Sequence, residues 1–137
     1  MIVLEKPGAG SIPAEIDHLL KDRAAWEEHY LPRLQFTEDR VNAAALAGLQ
    51  NDTDRQNPVG LHCGSLFGQV RNYLGVQGLS FLMVDDPDLF TEVVDTVGDL
   101  CYRCTERALA SGVHFDFAHF WEDICFKNGP LVSPRMS

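Results

Sequence analysis

The sequence predicts an α/β fold, rich in helix and built on about two parallel strands. Three features carry that expectation. Pro58-Val59-Gly60-Leu61-His62-Cys63-Gly64 is a short apolar run bounded by Pro and Gly, the pattern of a buried strand. Over residues 112–120, Phe115, Phe117 and His119 alternate with Asp116, Ala118 and Phe120, the period-two pattern of a second strand. Between them lies a crossover of about fifty residues with helical periodicity, so the grammar is strand, helices, strand, with the two strands parallel and the crossover right-handed.

Element by element, residues 1–13 hold Pro7, Gly8, Gly10 and Pro13 and read as an extended N-terminal arm, with a single domain over 14–137. Residues 14–22 place Ile16, Leu19 and Leu20 on one helical face. A second helix over 23–30 carries Trp26 and Tyr30 one turn apart, and Pro32 ends or kinks it. Thr37, followed by Glu38 and Asp39, is the expected N-cap of a third helix running to about Leu49. The polar stretch 51–57 is a surface loop. After the first strand, Ser65 caps a helix with Leu66, Phe67, Val70 and Leu74 at helical spacing, and Gly75 ends it. Residues 76–84 form a short apolar helix closed by Asp85-Asp86-Pro87, and that acidic pair caps a long helix over 88–111. Its stripe includes Val93, Val97, Cys101, Cys104 and Ala108, and Gly112 is its C-cap. The second strand runs into Trp121-Glu122-Asp123, and Gly129-Pro130 and Ser133-Pro134 turn the backbone away as a loop, like a βα unit cut before its helix. Two parallel strands are too few to be covered on both faces, so the chain either gains strands by homo-oligomerising or belongs to a larger barrel.

Charge narrows the partners. With 20 acidic against 11 basic residues the formal net charge is -9, and no run of Lys or Arg exists, which argues against nucleic acid and against an anionic membrane. No apolar stretch approaches the roughly 18–20 residues of a membrane span. Met1-Ile2-Val3-Leu4 meets Glu5, Lys6 and Pro7 at once, so no signal peptide is read, and the four cysteines are expected as reduced thiols of a cytoplasmic protein. Cys101 and Cys104 have CxxC spacing but lie mid-helix, where packing is expected rather than redox work.

The chemistry-bearing candidates cluster where strands end, because the C-terminal strand edge is where ligands meet the chain in α/β folds. They are Glu122 and Asp123 after the second strand, His119 on it, and His62 at the end of the first. Arg71 is suited to bidentate capture of a carboxylate, against the plainer role of a solvated helix Arg. Metal: none is expected as a complete site, since His62 and Cys63 lack a third ligand at usable spacing; a set completed by Glu122 is the remaining metal reading.

Three blocks carry a resemblance. They are Gly60-Leu61-His62-Cys63-Gly64-Ser65-Leu66-Phe67 leading to Arg71-Asn72-Tyr73-Leu74-Gly75, then Asp85-Asp86-Pro87-Asp88-Leu89-Phe90, then Phe120-Trp121-Glu122-Asp123 running through Gly129-Pro130 to Ser133-Pro134. Together they resemble uroporphyrinogen decarboxylase and its relatives, which include the corrinoid-linked methyltransferases. The resemblance implies a fragment of a (β/α)₈ TIM barrel, acting as a carboxy-lyase of porphyrin biosynthesis or as a methyltransferase. Its substrate would be a tetrapyrrole or a methylated compound. It implies no cofactor for decarboxylation, and zinc with a corrinoid for the methyltransferase branch. Such barrels take about 250 residues, so an interior segment, inactive alone, is expected. Glu122 matches an acidic residue common at that strand end, and Asp123 fits the methyltransferase-like branch better. The decarboxylases' helical Tyr falls on Asn72 here, with Tyr73 one residue later as the candidate substrate contact. The alternative to an enzyme fragment is a self-associating α/β interaction module.

Overall fold

A computed structural model describes residues 2–4 and 14–133. It is helix-rich, with a two-stranded parallel sheet, in keeping with the α/β expectation. No helix among the described residues is long and apolar enough to cross a membrane. The chain divides into two compact units, one of residues 1–35 with 69–97 and one of residues 36–68 with 98–137.

The first unit opens with β1 (Ile2–Leu4) antiparallel to β2 (Ala14–Asp17). Of the extended arm expected over 1–13, residues 5–13 lie outside the described residues. A strand over 14–17 replaces the expected helix there, because Leu4 and Val3 offer Ala14 and Glu15 a backbone partner and the residues after Asp17 do not continue a helical turn. Helix starts only at Asp22, whose carboxylate accepts from the Ala25 N–H (2.8 Å) and caps α1 (Arg23–Ala25). The chain widens into a π-helical turn, Trp26–Tyr30, and tightens into a 3₁₀ turn, Leu31–Arg33, with Pro32 at its start. The rings of Trp26 and Tyr30 stack at 6.3 Å, as their four-residue spacing predicts.

Helix α3 (Phe67–Asp85) is broken at Gly75, which has φ +70°. That is the stop read from the sequence. A residue with a Cβ is strained at this φ, and the His18 ring packs directly over Gly75. Asp86 accepts from the Leu89 N–H (3.0 Å) and caps α4 (Pro87–Leu109). In the first unit the core is Leu20, Trp26, Val70, Leu79, Leu89 and Val93, all nearly inaccessible. One carboxylate organises it. Glu92 Oε1 accepts from Trp26 Nε1 (2.9 Å) and Oε2 from Arg23 (2.8 Å). The fully buried indole thereby keeps its only donor satisfied.

The second unit begins with a 3₁₀ turn, Glu38–Arg40, and then α2 (Ala43–Asn51). Thr37 does not start a continuous helix. Val41 is extended, and Asn42 caps α2 by accepting from the Ala45 N–H (2.9 Å). Strand β3 (Gly60–His62) pairs in parallel with β4 (Phe117–His119), with Gly60 opposite Phe117, Leu61 opposite Ala118 and His62 opposite His119. The strand expected to be buried is largely open: Gly60 and His62 are exposed and Leu61 is half-buried. Each strand pairs with only one other strand among the described residues. A tight hairpin, β5 (Cys125–Phe126) with β6 (Gly129–Pro130), stands where a loop was expected. The two-residue turn is Lys127-Asn128, and Gly129, the first strand residue after it, takes φ +133°.

The Glu92 carboxyl is held below its ordinary value of 4.5, first by the hydrogen bond from Arg23 and then by that from Trp26, with desolvation opposing. A depressed folded-state value means the contribution is complete above about pH 4.5 and is lost as pH falls through the folded value. Glu92→Ala is expected to cost about 1–3 kcal/mol at pH 7, because it orphans a buried indole N–H. Glu92→Gln is expected to keep the indole bond and to show a shallower loss of stability in acid than the parent chain. Urea unfolding at a series of pH values checks both.

Candidate functional site

The residues expected at the strand ends fall in the second unit, and they do not all do the same work. Backbone pairing continues beyond the strands: the Cys63 N–H donates to His119 O (2.9 Å) and the Trp121 N–H to Gly64 O (3.0 Å). The chain leaving β4 is thus laid along the chain leaving β3, up to the start of α3. There Glu122 meets the helix. The Leu66 N–H donates to Glu122 Oε1 (2.6 Å) and the Gly68 N–H to Oε2 (3.2 Å). First-turn N–H groups have no partner inside a helix and carry the positive end of its dipole, so a bidentate carboxylate is a favoured occupant. Glu122 is therefore engaged as a cap supplied from more than fifty residues away. Asp123, its half-buried neighbour, lies past the strand, so strand alternation no longer governs where the two carboxylates face.

Two glycines make this approach possible. Gly64 has φ +100°, and a Cβ there would collide with the Cys101 sulfur. A Cβ on Gly68 would collide with the Trp121 ring and the Ser65 hydroxyl. Trp121 thus rests on the first turn of α3 while remaining 45% exposed. The other end of the pair is fastened by Asp116. Its N–H donates to Val59 O (2.8 Å) and its carboxylate accepts from the Val59 N–H (2.7 Å). Arg55 adds an ion pair to the same carboxylate (3.2 Å) and donates to His114 O (2.8 Å). The Val59 N–H is the chief reason that the Asp116 carboxyl lies below its usual range.

Because the sheet is parallel and in this register, His62 and His119 stand side by side. His62 Nδ1 lies 3.0 Å from His119 Nε2, with ring centroids 4.7 Å apart, and both side chains are exposed. The sequence placed each histidine at a strand end. Their direct opposition depends on a register that no local pattern specifies.

Arg71 and Tyr73 belong to the first unit. Tyr73 packs its ring on Tyr30 at 4.9 Å, and burial pushes the Tyr30 hydroxyl up. Tyr73 thus extends the Trp26–Tyr30 aromatic row, and Arg71 is half-buried on the same helix. The first unit also holds a cleft of about 710 Å³, floored by Leu74 to Gly78 and rimmed by Asp17, Lys21, Asp22 and Asp86. None of the six candidate residues lines it. Its lining is drawn from three separate stretches of chain, so no motif announces it.

The cysteines are all free. Cys63 is buried, with its sulfur directed to Leu61 O, and burial pushes the Cys101 and Cys104 thiols up. Raised thiols are poor nucleophiles and poor metal ligands. Among the described residues no group of three or more His, Cys, Asp and Glu is placed to hold a metal ion. His62, Cys63 and Glu122 do not converge, and a zinc set of the His/Cys/Cys kind does not fit these donors. Comparison with protein-family models, with curated proteins and with solved structures gave no match.

Gly64→Ala is expected to destabilise the chain by about 1–3 kcal/mol, from backbone strain and displacement of Cys101. Gly48→Ala, in the middle of α2 with open space around it, is expected to stabilise it by about 0.5–1 kcal/mol. Urea titration of the two variants side by side checks the pair.

Proposed function

We propose that the chain is part of a uroporphyrinogen-decarboxylase-like (β/α)₈ barrel and that these 137 residues are inactive alone. The parent chemistry would be decarboxylation of porphyrinogen acetate groups or corrinoid-linked methyl transfer. One observation carries the reading. Two parallel strands, separated in sequence by α3 and α4, bring His62, His119 and Glu122 to one C-terminal strand edge, the edge at which barrels of this kind place their sites. The three sequence blocks of the resemblance fall on structurally constrained points: Gly64 at φ +100°, Asp86 capping α4, and Gly129 at φ +133°. Inactivity is expected because such barrels take about 250 residues and build their site from the ends of many strands, whereas the described residues hold one parallel pair. A porphyrinogen carries many carboxylates, and its decarboxylation needs fixed groups that stabilise a protonated pyrrole. A cytoplasmic setting goes with four unpaired cysteines.

A second reading rests on a separate observation. Phe117, Phe120 and Trp121 are 52%, 61% and 45% exposed beside a sheet of only two strands. A parallel sheet of that size needs further covering. In this reading the chain is a self-associating interaction module and its partner is a second copy.

Purified chain is expected to give no product from uroporphyrinogen or from a methylcorrinoid, followed by chromatography and by absorbance. Turnover of either would contradict the claim of inactivity. Sedimentation with thermal melting separates the two readings. A monodisperse dimer or tetramer with one cooperative transition favours the module. Polydisperse association without a transition favours the barrel segment.

A further inference from the structure

We propose that His62 and His119 form a two-histidine binding site for a divalent first-row transition-metal ion, at the C-terminal edge of the β3–β4 pair. The argument is geometric and independent of the family reading. The parallel register sets the two residues directly opposite each other, on one face of the sheet, and the Cys63 N–H bond to His119 O locks that register. The facing nitrogens are 3.0 Å apart. Two imidazole nitrogens each about 2.0–2.1 Å from one ion stand about 2.8–3.0 Å apart at a right angle and about 3.3–3.4 Å apart at a tetrahedral angle. The observed spacing therefore falls within the range that a shared ion requires.

In the metal-free arrangement one nitrogen donates a proton to the other. A metal ion takes the place of that shared proton, which moves to the outer nitrogen of the donating ring, so that both rings stay neutral and each gives the ion one lone pair. Each ring then turns by roughly 35–45° so that the lone pairs converge on the ion rather than on each other. Both side chains are exposed, so this rotation displaces no core atom. His62 ligates through Nδ1 and His119 through Nε2, which leaves the N–H of each ring on its outer side. The remaining coordination positions are open to water, because no third His, Cys, Asp or Glu among the described residues joins the pair. Imidazole donors with open positions suit Zn²⁺, Ni²⁺ and Cu²⁺ rather than Mg²⁺ or Ca²⁺. The two ligands are 57 residues apart in sequence, so an ion bound by both holds β3 to β4 and stabilises the folded chain through linkage.

Titration of the full chain with Ni²⁺ by calorimetry is expected to show one saturable equivalent. Affinity should fall at least tenfold in His62→Gln and in His119→Gln, and should be unchanged in His29→Gln and Cys125→Ser. The same ion should raise the unfolding midpoint of the parent chain and not that of the His62→Gln/His119→Gln variant. Cu²⁺ bound to the unaltered chain gives a second readout that needs no substitution: electron paramagnetic resonance should show splitting from two imidazole nitrogens. Unchanged affinity in both histidine variants, loss of binding in Cys125→Ser alone, absence of saturable binding, or a spectrum with fewer than two nitrogens would each overturn the proposal.

Discussion

The carboxylate of Glu122 joins the end of one strand to the beginning of a helix, and the geometry of the second unit follows from that junction. One oxygen accepts the N–H of Leu66, just before α3, and the other that of Gly68 in its first turn. A helix that starts directly after a strand leaves its first amides unpartnered, and here the neighbouring strand supplies the acceptor. Holding the chain after β4 against α3 fixes how far β4 runs beside β3. Asp116 and Arg55 do the same at the opposite end of the strand. Between these two fastenings the register has no freedom to slip, and a one-residue slip would turn every side chain of β4 to the other face.

The opposition of His62 and His119 is a consequence of that fixed register. An acidic residue after a strand is often read as catalytic, but here each carboxylate oxygen accepts a backbone amide, which gives Glu122 a structural role. The chemically available groups at this edge are the two imidazoles, and they face each other rather than a third residue. The exposed Phe117 ring lies beside His119, with centroids 6.4 Å apart.

Much of the helical framework was legible in the sequence. The stripe of Val93, Val97 and Ala108 is one face of α4 because 3.6-residue spacing admits no other arrangement, and Gly75 stops a helix because the next conformation requires positive φ. The parallel strand pair was legible from apolar alternation separated by helical crossover. What escaped local pattern was pairing at a distance. Ala14–Asp17 is a strand because Ile2–Leu4 lies beside it, across a Gly- and Pro-containing stretch that carries no hairpin signal. Asn42 caps α2 in place of Thr37 because Val41 between them is extended. The partners of Glu122 and the facing of the two histidines come from contacts more than fifty residues apart, which no window of sequence can show.

The most direct test of the Glu122 junction is amide hydrogen exchange at Leu66 and Gly68 in the parent chain and in Glu122→Ala, under conditions where both remain folded. The account predicts that both amides are protected in the parent, that both exchange faster in the variant, and that exchange within the later turns of α4 is unchanged. Equal protection of Leu66 and Gly68 in the two proteins would contradict it, and Glu122 would then return as a free carboxylate at the strand edge.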